Sequence, residues 1–380
     1  MKRPRLVNRP DVRFFRNHKF SLERSPSAGL EVLECRQMLS GVDLLVAAYD
    51  STGGNSVLRF NDITHSPTQG TVATGDHGLD PPSGLAVNPV DHSFYVSSPS
   101  SGGILHYDVN GNYIDSIGVG TLLYPGTLAI GPNGNLYAAD IYAATIYQFS
   151  TTTEAVVNSD FLGYAPAGMT FVPDGSNDLV VGGFDNQDVI RYTSSGPVTL
   201  VDASQGLNIN PLSLVAEANG DVVIGDSNIS PPDSANHHAL WLYDASTGLT
   251  TLKVNLTTPT DPGNDPPQPS SLLLDTDGNL LVGLSPDHVG DGAIEKYDID
   301  DFSYMGTPIS NIGSTAGMAL IPSIASAVAG TDLFYKGSSA FDVTNGATFS
   351  DDNTIAPDKS AYLPGTGNAT FASVSSYTQG

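Results

Sequence analysis

One cysteine, one tryptophan and six basic residues after position 40 set the first limits on this 380-residue chain. The cysteine, Cys35, is near the N-terminus, so residues 41–380 offer neither a disulfide nor a cysteine-based metal site. Positive charge is just as localised. Nine of the fifteen Lys and Arg fall within residues 1–40, beside four acids, which leaves six basic against thirty-six acidic residues and a formal charge of −30 on residues 41–380. Such a body repels nucleic acid and anionic lipid, whose binding needs clustered positive charge, and this excludes nucleic-acid recognition. Glutamate is scarce there as well: after residue 40 only Glu154, Glu217 and Glu295 stand among many aspartates, which suit turns and strand ends better than helices. No run of eighteen apolar residues occurs, so no transmembrane helix is expected.

Forty Gly and twenty-six Pro are abundant by contrast. With Ser, Thr, Asn and Asp clusters about every ten residues, they describe short strands joined by turns. Six segments stack on one another: PSGLAV (82–87), PGTLAI (125–130), PAGMTF (166–171), PLSLVA (211–216), PSSLLL (269–274) and TAGMAL (315–320), at steps of 43, 41, 45, 58 and 46 residues. Tight polar turns such as PNGN and TDGN lead from these to second strands such as LYAAD (136–140) and VVIGD (222–226). Third strands follow, among them TIYQF (145–149) and LWLY (240–243), then a more polar fourth. Four strands per period is the signature of a β-propeller blade.

The two ends complete each other. Residues 42–65 supply a second and a third strand with no first, and residues 315–322 supply a first strand with nothing after it. Joining them, with residues 318–322 beside 43–49, predicts an all-β, six-bladed propeller over residues 42–322 whose closing blade is shared by both termini; pairing removes the edge an open sheet would expose.

The stretch GNLYAADIYAATIYQF resembles the NHL repeat, and PGTLAIGPNGNLYAAD is similar to repeats of the streptogramin lyase and gluconolactonase-like propellers. This resemblance implies the fold. For gluconolactonase-like enzymes it also implies an acidic metal ligand on a first strand, and no first strand here carries a carboxylate. A streptogramin-type lyase needs a paired His and Glu, and no Glu lies on the His-bearing loops. Asp140, the motif aspartate, is expected to order its own turn. Arg59, His106, Arg191 and Lys296 occupy one repeat-equivalent position before the third-strand aromatic, read as a solvated strand face. Trp241 is expected to pack between blades.

Residues 24–41, RSPSAGLEVLECRQMLSG, resemble the N-terminal sorting segment of Planctomycetes cell-surface proteins, with Cys35 and Met38 where that pattern has Pro and Leu. Residues 1–41 are therefore expected to be a basic export leader that packs on nothing, and the protein to be secreted or held at the cell surface. Residues 323–331 read as a linker. Residues 332–380 resemble a C-terminal segment of the same class of secreted proteins and read as a β-rich appendage, with the chain expected to be truncated at Gly380.

Length variation falls on one face. Blade five carries insertions at 226–239 and 255–269, and blade six one at 285–292. His77, His237, His238 and His288 fall on loops of this face, and loops held by a rigid scaffold are where binding concentrates. Asp226, Asp233, His237, His238, Asp287, His288 and Asp291 are the expected ligand-binding face. Of these, Asp226, His237, His238, Asp287 and His288 form a candidate divalent-cation set, for Zn²⁺ by the mix of imidazole and carboxylate, or for Ca²⁺ if oxygens alone serve. The competing reading is that they are solvated turn residues. Three functions remain open: a monomeric scaffold binding a protein or glycan at the cell envelope, a metal-dependent hydrolase or lactonase, and a structural envelope component.

Overall fold

The computed structural model describes residues 42–49, 54–61, 68–205, 207, 209–227, 238–256, 267–285 and 292–323, with four short strands beyond residue 332. Among these residues the chain is all β, apart from three single-turn 3₁₀ segments. Blade one takes β1 (Val42–Tyr49), β2 (Ser56–Asn61) and β3 (Thr68–Thr74). Blade two is β4 (Leu85–Val87), β5 (Phe94–Ser98), β6 (Gly103–Tyr107) and β7 (Tyr113–Ile117). Blade three is β8 (Pro125–Ile130), β9 (Leu136–Asp140), β10 (Thr145–Phe149) and β11 (Val156–Phe161). Blade four is β12 (Pro166–Phe171), β13 (Leu179–Gly183), β14 (Val189–Thr193) and β15 (Gly196–Val201). Blade five is β16 (Pro211–Ala216), β17 (Val222–Asp226), β18 (Ala239–Asp244) and β19 (Leu249–Asn255). Blade six is β20 (Gln268–Leu274), β21 (Leu280–Ser285), β22 (Ala293–Tyr297) and β23 (Tyr304–Ser310). The chain then returns as β24 (Ser314–Pro322) to complete blade one in the order β24-β1-β2-β3.

That closure is antiparallel and long: Val42 pairs with Pro322 and Tyr49 with Ser314, and Val46 and Met318 face each other between them. The expected pairing of residues 318–322 with the strand at 43–49 is observed, within a longer ladder that runs from Val42 to Tyr49 and from Ser314 to Pro322.

Sequence chemistry explains the repeat. Pro125, Pro166, Pro211 and Pro269 each lie at or next to the start of the innermost strand, whose inner edge has no ladder, so the missing N–H costs nothing there. In all four blades the register shifts within the next three residues. Gly134, Gly175, Gly220 and Gly278 take the left-handed conformation in the tight turns between first and second strands, with φ between 77° and 92°. The fourth strands are the outer edges: β11 is exposed throughout and β19 alternates, which accounts for their polar composition.

The hydrophobic core is divided into six clusters, one at each blade boundary. Leu45, Phe94 and Tyr107 anchor the one–two boundary, Tyr95, Leu136 and Phe149 the two–three boundary, and Met169 and Val181 the three–four boundary. Val222, Ile224 and Trp241 fill four–five, Leu240 and Leu280 five–six, and Leu44, Ile294 and Met318 six–one. Small residues at the fourth position of second strands let the wedges converge. A Cβ on Gly182 would sit 2.7 Å from the carbonyl oxygen of Pro211, and one on Gly225 would sit 2.9 Å from that of Pro269.

Residues 38–325 form one compact unit, and residues 326–380 belong to a second. In the second, Leu333–Phe334 pairs with Ala340–Phe341 and Ser360–Pro364 with Ala369–Ser373, both antiparallel. The expectations for leader 1–41, for the linker beyond Ser323 and for most of 332–380 lie outside the described residues. No helix among the described residues is long and apolar enough to cross a membrane.

Candidate functional site

Second strands end, and first strands begin, on one face of the ring, here called the loop face; the tight first-to-second-strand turns form the opposite, turn face. The last residue of the second strand fastens the loop face. Asp140 is fully buried, and its carboxylate accepts from the backbone N–H of Leu123 (2.6 Å), Tyr124 (3.1 Å) and Ala143 (3.0 Å). It thus orders its own turn, as expected, and also clamps the loop arriving from blade two. Asp226 does the same in blade five, accepting from Asn210 N–H at 2.7 Å and from the Trp241 indole at 3.1 Å. In blade two Ser98 takes the role: its Oγ accepts from Asp80 N–H at 2.8 Å.

Of the expected binding-face residues, Asp226 and His238 are described. Both are buried at strand ends rather than displayed, and His238 takes the left-handed conformation (φ 54°) while its carbonyl accepts from Leu256 N–H at 2.9 Å. Asp233, His237, Asp287, His288 and Asp291 lie outside the described residues. Burial raises the Asp188 carboxyl, beside the β14 entrance to this face, and the Asp202 charge adds to the shift.

The axis of the ring is lined by the six first strands. Leu85, Leu128, Met169, Leu214, Leu272 and Met318 occupy the same position in six consecutive first strands, and they line a channel of about 90 Å³. The preceding position holds Gly84, Thr127, Gly168, Ser213, Ser271 or Gly317, small enough for neighbouring strands to touch. Hydroxyls lace the inner strands together: Ser97 donates to Gly126 O, Thr127 to Ala167 O and Ser213 to Pro269 O, each at 2.6 Å. No described lining residue of the channel is ionisable.

A wider cleft, about 560 Å³, opens on the loop face between blades six and one. Tyr49, Asn55, Ser56, Gln69, Thr71, Thr74 and Asn311 supply its polar lining, with Leu58 and Ile312 beside them. Apart from the Tyr49 phenol its described lining is not ionisable, in a body whose formal charge is −30. On the same face, blades two to four expose large apolar side chains. Leu123 (61 % exposed) precedes β8, Tyr142 (71 %) lies in the β9–β10 loop stacked on Tyr124 at 4.4 Å, and Phe161 (76 %) ends β11. No sequence periodicity marks these residues, because they lie in loops of unequal length.

One expectation is overturned. Arg59, His106, Arg191 and Lys296 are not a solvated face. Arg59 is buried and donates to Asp43 at 2.6 Å, Arg191 donates to Asp178 at 2.8 Å and to Asp174 at 2.7 Å, and Lys296 lies 2.6 Å from Asp275. His106 is buried against Tyr95 and faces Asp115. The partners come from the turn face or a neighbouring strand, so each of the four side chains meets a carboxylate where it enters the interblade space. Trp241 packs in the four–five core, as expected.

No family model matches the chain, and no curated protein matches it. Solved structures do. A nidogen/laminin complex has a chain that superposes with a TM-score of 0.55 at 14 % identity, covering 74 % of this chain and 98 % of that one. A Bacteroides caccae protein of unknown function gives 0.54 at 15 % identity, over 75 % of this chain and all (100 %) of that one. A streptogramin B lyase gives 0.45 at 14 %, over 63 % and 74 %. At such identities the likeness is one of fold: the chain carries a six-bladed β-propeller.

Proposed function

We propose that this protein is a secreted or cell-surface binding scaffold that engages a neutral, hydroxyl-rich partner, of the glycan class, through its loop face at blades five, six and one. The uncharged cleft carries the reading. Amides and hydroxyls both donate and accept, as a polyol requires, and the half-buried Tyr49 offers an aromatic ring for the face of a sugar. The strand ends that flank the long insertions of blades five and six lie on this same face, and the resemblance of residues 24–41 to a sorting segment supports export. The nidogen/laminin neighbour is a propeller seen in a complex between proteins, which supports a binding role for such a ring.

The test is a glycan-array and envelope-polysaccharide binding assay on the full chain, with Gln69→Ala and Asn311→Ala variants. Saturable binding to neutral glycans that weakens in both variants supports the reading; binding unchanged by either variant overturns the assignment to this cleft. A hydrolase or lactonase is the second reading, and the axial channel gives it no described carboxylate to hold a metal. Turnover of lactones or esters with added Ca²⁺ or Zn²⁺ would put that reading in place of the first.

A further inference from the structure

On the turn face, three side chains from two blades converge on one point. His106 lies in β6, Asp115 stands opposite it across the ladder in β7, and Glu154 lies in the turn between β10 and β11 of blade three. His106 Nδ1 is 3.2 Å from Asp115 Oδ1 and 3.4 Å from Glu154 Oε1, and the three ligand atoms all lie within 4.8 Å of one another. The imidazole is fixed: His106 is 7 % exposed and stacks on Tyr95 with ring centres 4.4 Å apart. Its Nε2 is buried with no hydrogen-bond partner among the described residues, so the ring interacts through Nδ1.

With both carboxyls ionised, hydrogen bonding alone serves this arrangement poorly; without an ion, burial and then the hydrogen-bonded Asp115 carboxyl raise the Glu154 carboxyl. One proton at Nδ1 must answer two carboxylates, and even an imidazolium sets a single positive charge against two negative ones. A divalent cation balances both. The two His106 distances fit as well: bonds of about 2.0–2.2 Å in tetrahedral geometry place neighbouring ligand atoms about 3.3–3.6 Å apart. The donor set of one imidazole and two carboxylates suits Zn²⁺ and its first-row neighbours over Ca²⁺, which takes oxygens only. The Asp115 and Glu154 side chains are 40 % and 34 % exposed, so water can complete the coordination shell.

We propose that His106, Asp115 and Glu154 form a divalent transition-metal site of the Zn²⁺ class that fastens blade two to blade three on the turn face. The ligands come from both sides of a blade boundary, so the bound ion stabilises the folded ring by an amount that grows with the logarithm of ion concentration above Kd. The site is on the face opposite the cleft and stands or falls separately from glycan binding.

The experiment uses the full chain after chelator treatment, with Co²⁺ as a spectroscopic probe and Zn²⁺ in calorimetry and thermal melts. Asp115→Asn and Glu154→Gln keep side-chain shape at partly exposed positions, which preserves folding. The wild type is expected to bind one equivalent more than either variant, with a visible Co²⁺ band and a Zn²⁺-dependent rise in Tm. Affinity in the variants should fall by at least the roughly tenfold that loss of an outer-shell partner costs. A His237→Ala, His238→Ala double variant should keep the site. Equal Co²⁺ spectra and equal Tm shifts in the wild type and both carboxamide variants overturn the proposal, as does the absence of any wild-type binding.

Discussion

Arg59 Nη2 donates to the carbonyl oxygen of Pro322 at 2.8 Å, joining residues at opposite ends of the propeller. The same guanidinium donates from Nε to Asp43 at 2.6 Å and from Nη1 to the Val109 carbonyl at 2.9 Å in blade two. Ser323 donates to the second oxygen of Asp43. One buried cation thus ties the first strand of the chain, the last strand of the ring and the adjacent blade.

Removing the guanidinium should therefore cost far more than a surface pair. Arg59→Ala leaves Asp43 buried without its counter-charge, a loss of about 3–5 kcal/mol. The double change Arg59→Met, Asp43→Leu should recover most of it. Denaturant unfolding of the three proteins checks this, and a single variant within about 1 kcal/mol of wild type would place Arg59 among ordinary surface pairs.

Asp140→Ala releases three backbone N–H groups at the junction of blades two and three. Hydrogen bonds to a charged group contribute about 1.5–3 kcal/mol each at most, and they are not additive, so a total loss of about 3 kcal/mol is expected. Hydrogen exchange should show the loosening at Leu123, Tyr124 and Ala143. Unchanged protection at these three amides would contradict the clamp.

Gly84→Ala tests the close approach of neighbouring first strands. A Cβ there would lie 2.4 Å from the Gly126 carbonyl oxygen and 2.7 Å from Leu128 N, and the obstacle is backbone rather than a movable side chain. Overpacking of this kind costs about 1–3 kcal/mol or more. Gly134→Ala, whose added Cβ meets nothing within 4 Å, should be limited to the cost of its left-handed φ of 77°. Equal melting temperatures for the two variants would argue against contact between inner strands.

Acid should unfold the ring through a recurring turn. Asp174, Asp202, Asp244 and Asp301 each precede a serine by two residues, and hydrogen bonds from that serine hold all four carboxyls below the ordinary 3.8. Asp174 falls to about 2, through Ser176 first and Arg191 after it. A depressed folded-state pKa contributes stability that is fully present above the unfolded value and lost as pH falls through the folded one. Stability should therefore decline from just above pH 4 downwards. Ser204→Ala, Ser246→Ala and Ser303→Ala together should move the acid midpoint upward; an unmoved midpoint would deny these turns a part in acid unfolding.

The amino-acid sequence alone determined the architecture. A period of Pro-led inner strands, tight Gly turns and small second-strand ends follows from local backbone chemistry, which repeats wherever the same residues repeat. The shared blade was legible for the same reason, since one end lacked a strand that the other possessed. What only the tertiary structure decided is how side chains meet across blade boundaries. Arg59, His106, Arg191 and Lys296 look like one solvated row in the repeat, yet each is matched by an acid, and His106 meets Glu154 only because blades two and three pack together. The axial channel lined by six first strands and the uncharged cleft between blades six and one arise likewise from ring closure. Residues distant in sequence share an environment there, and no local pattern encodes which of them meet.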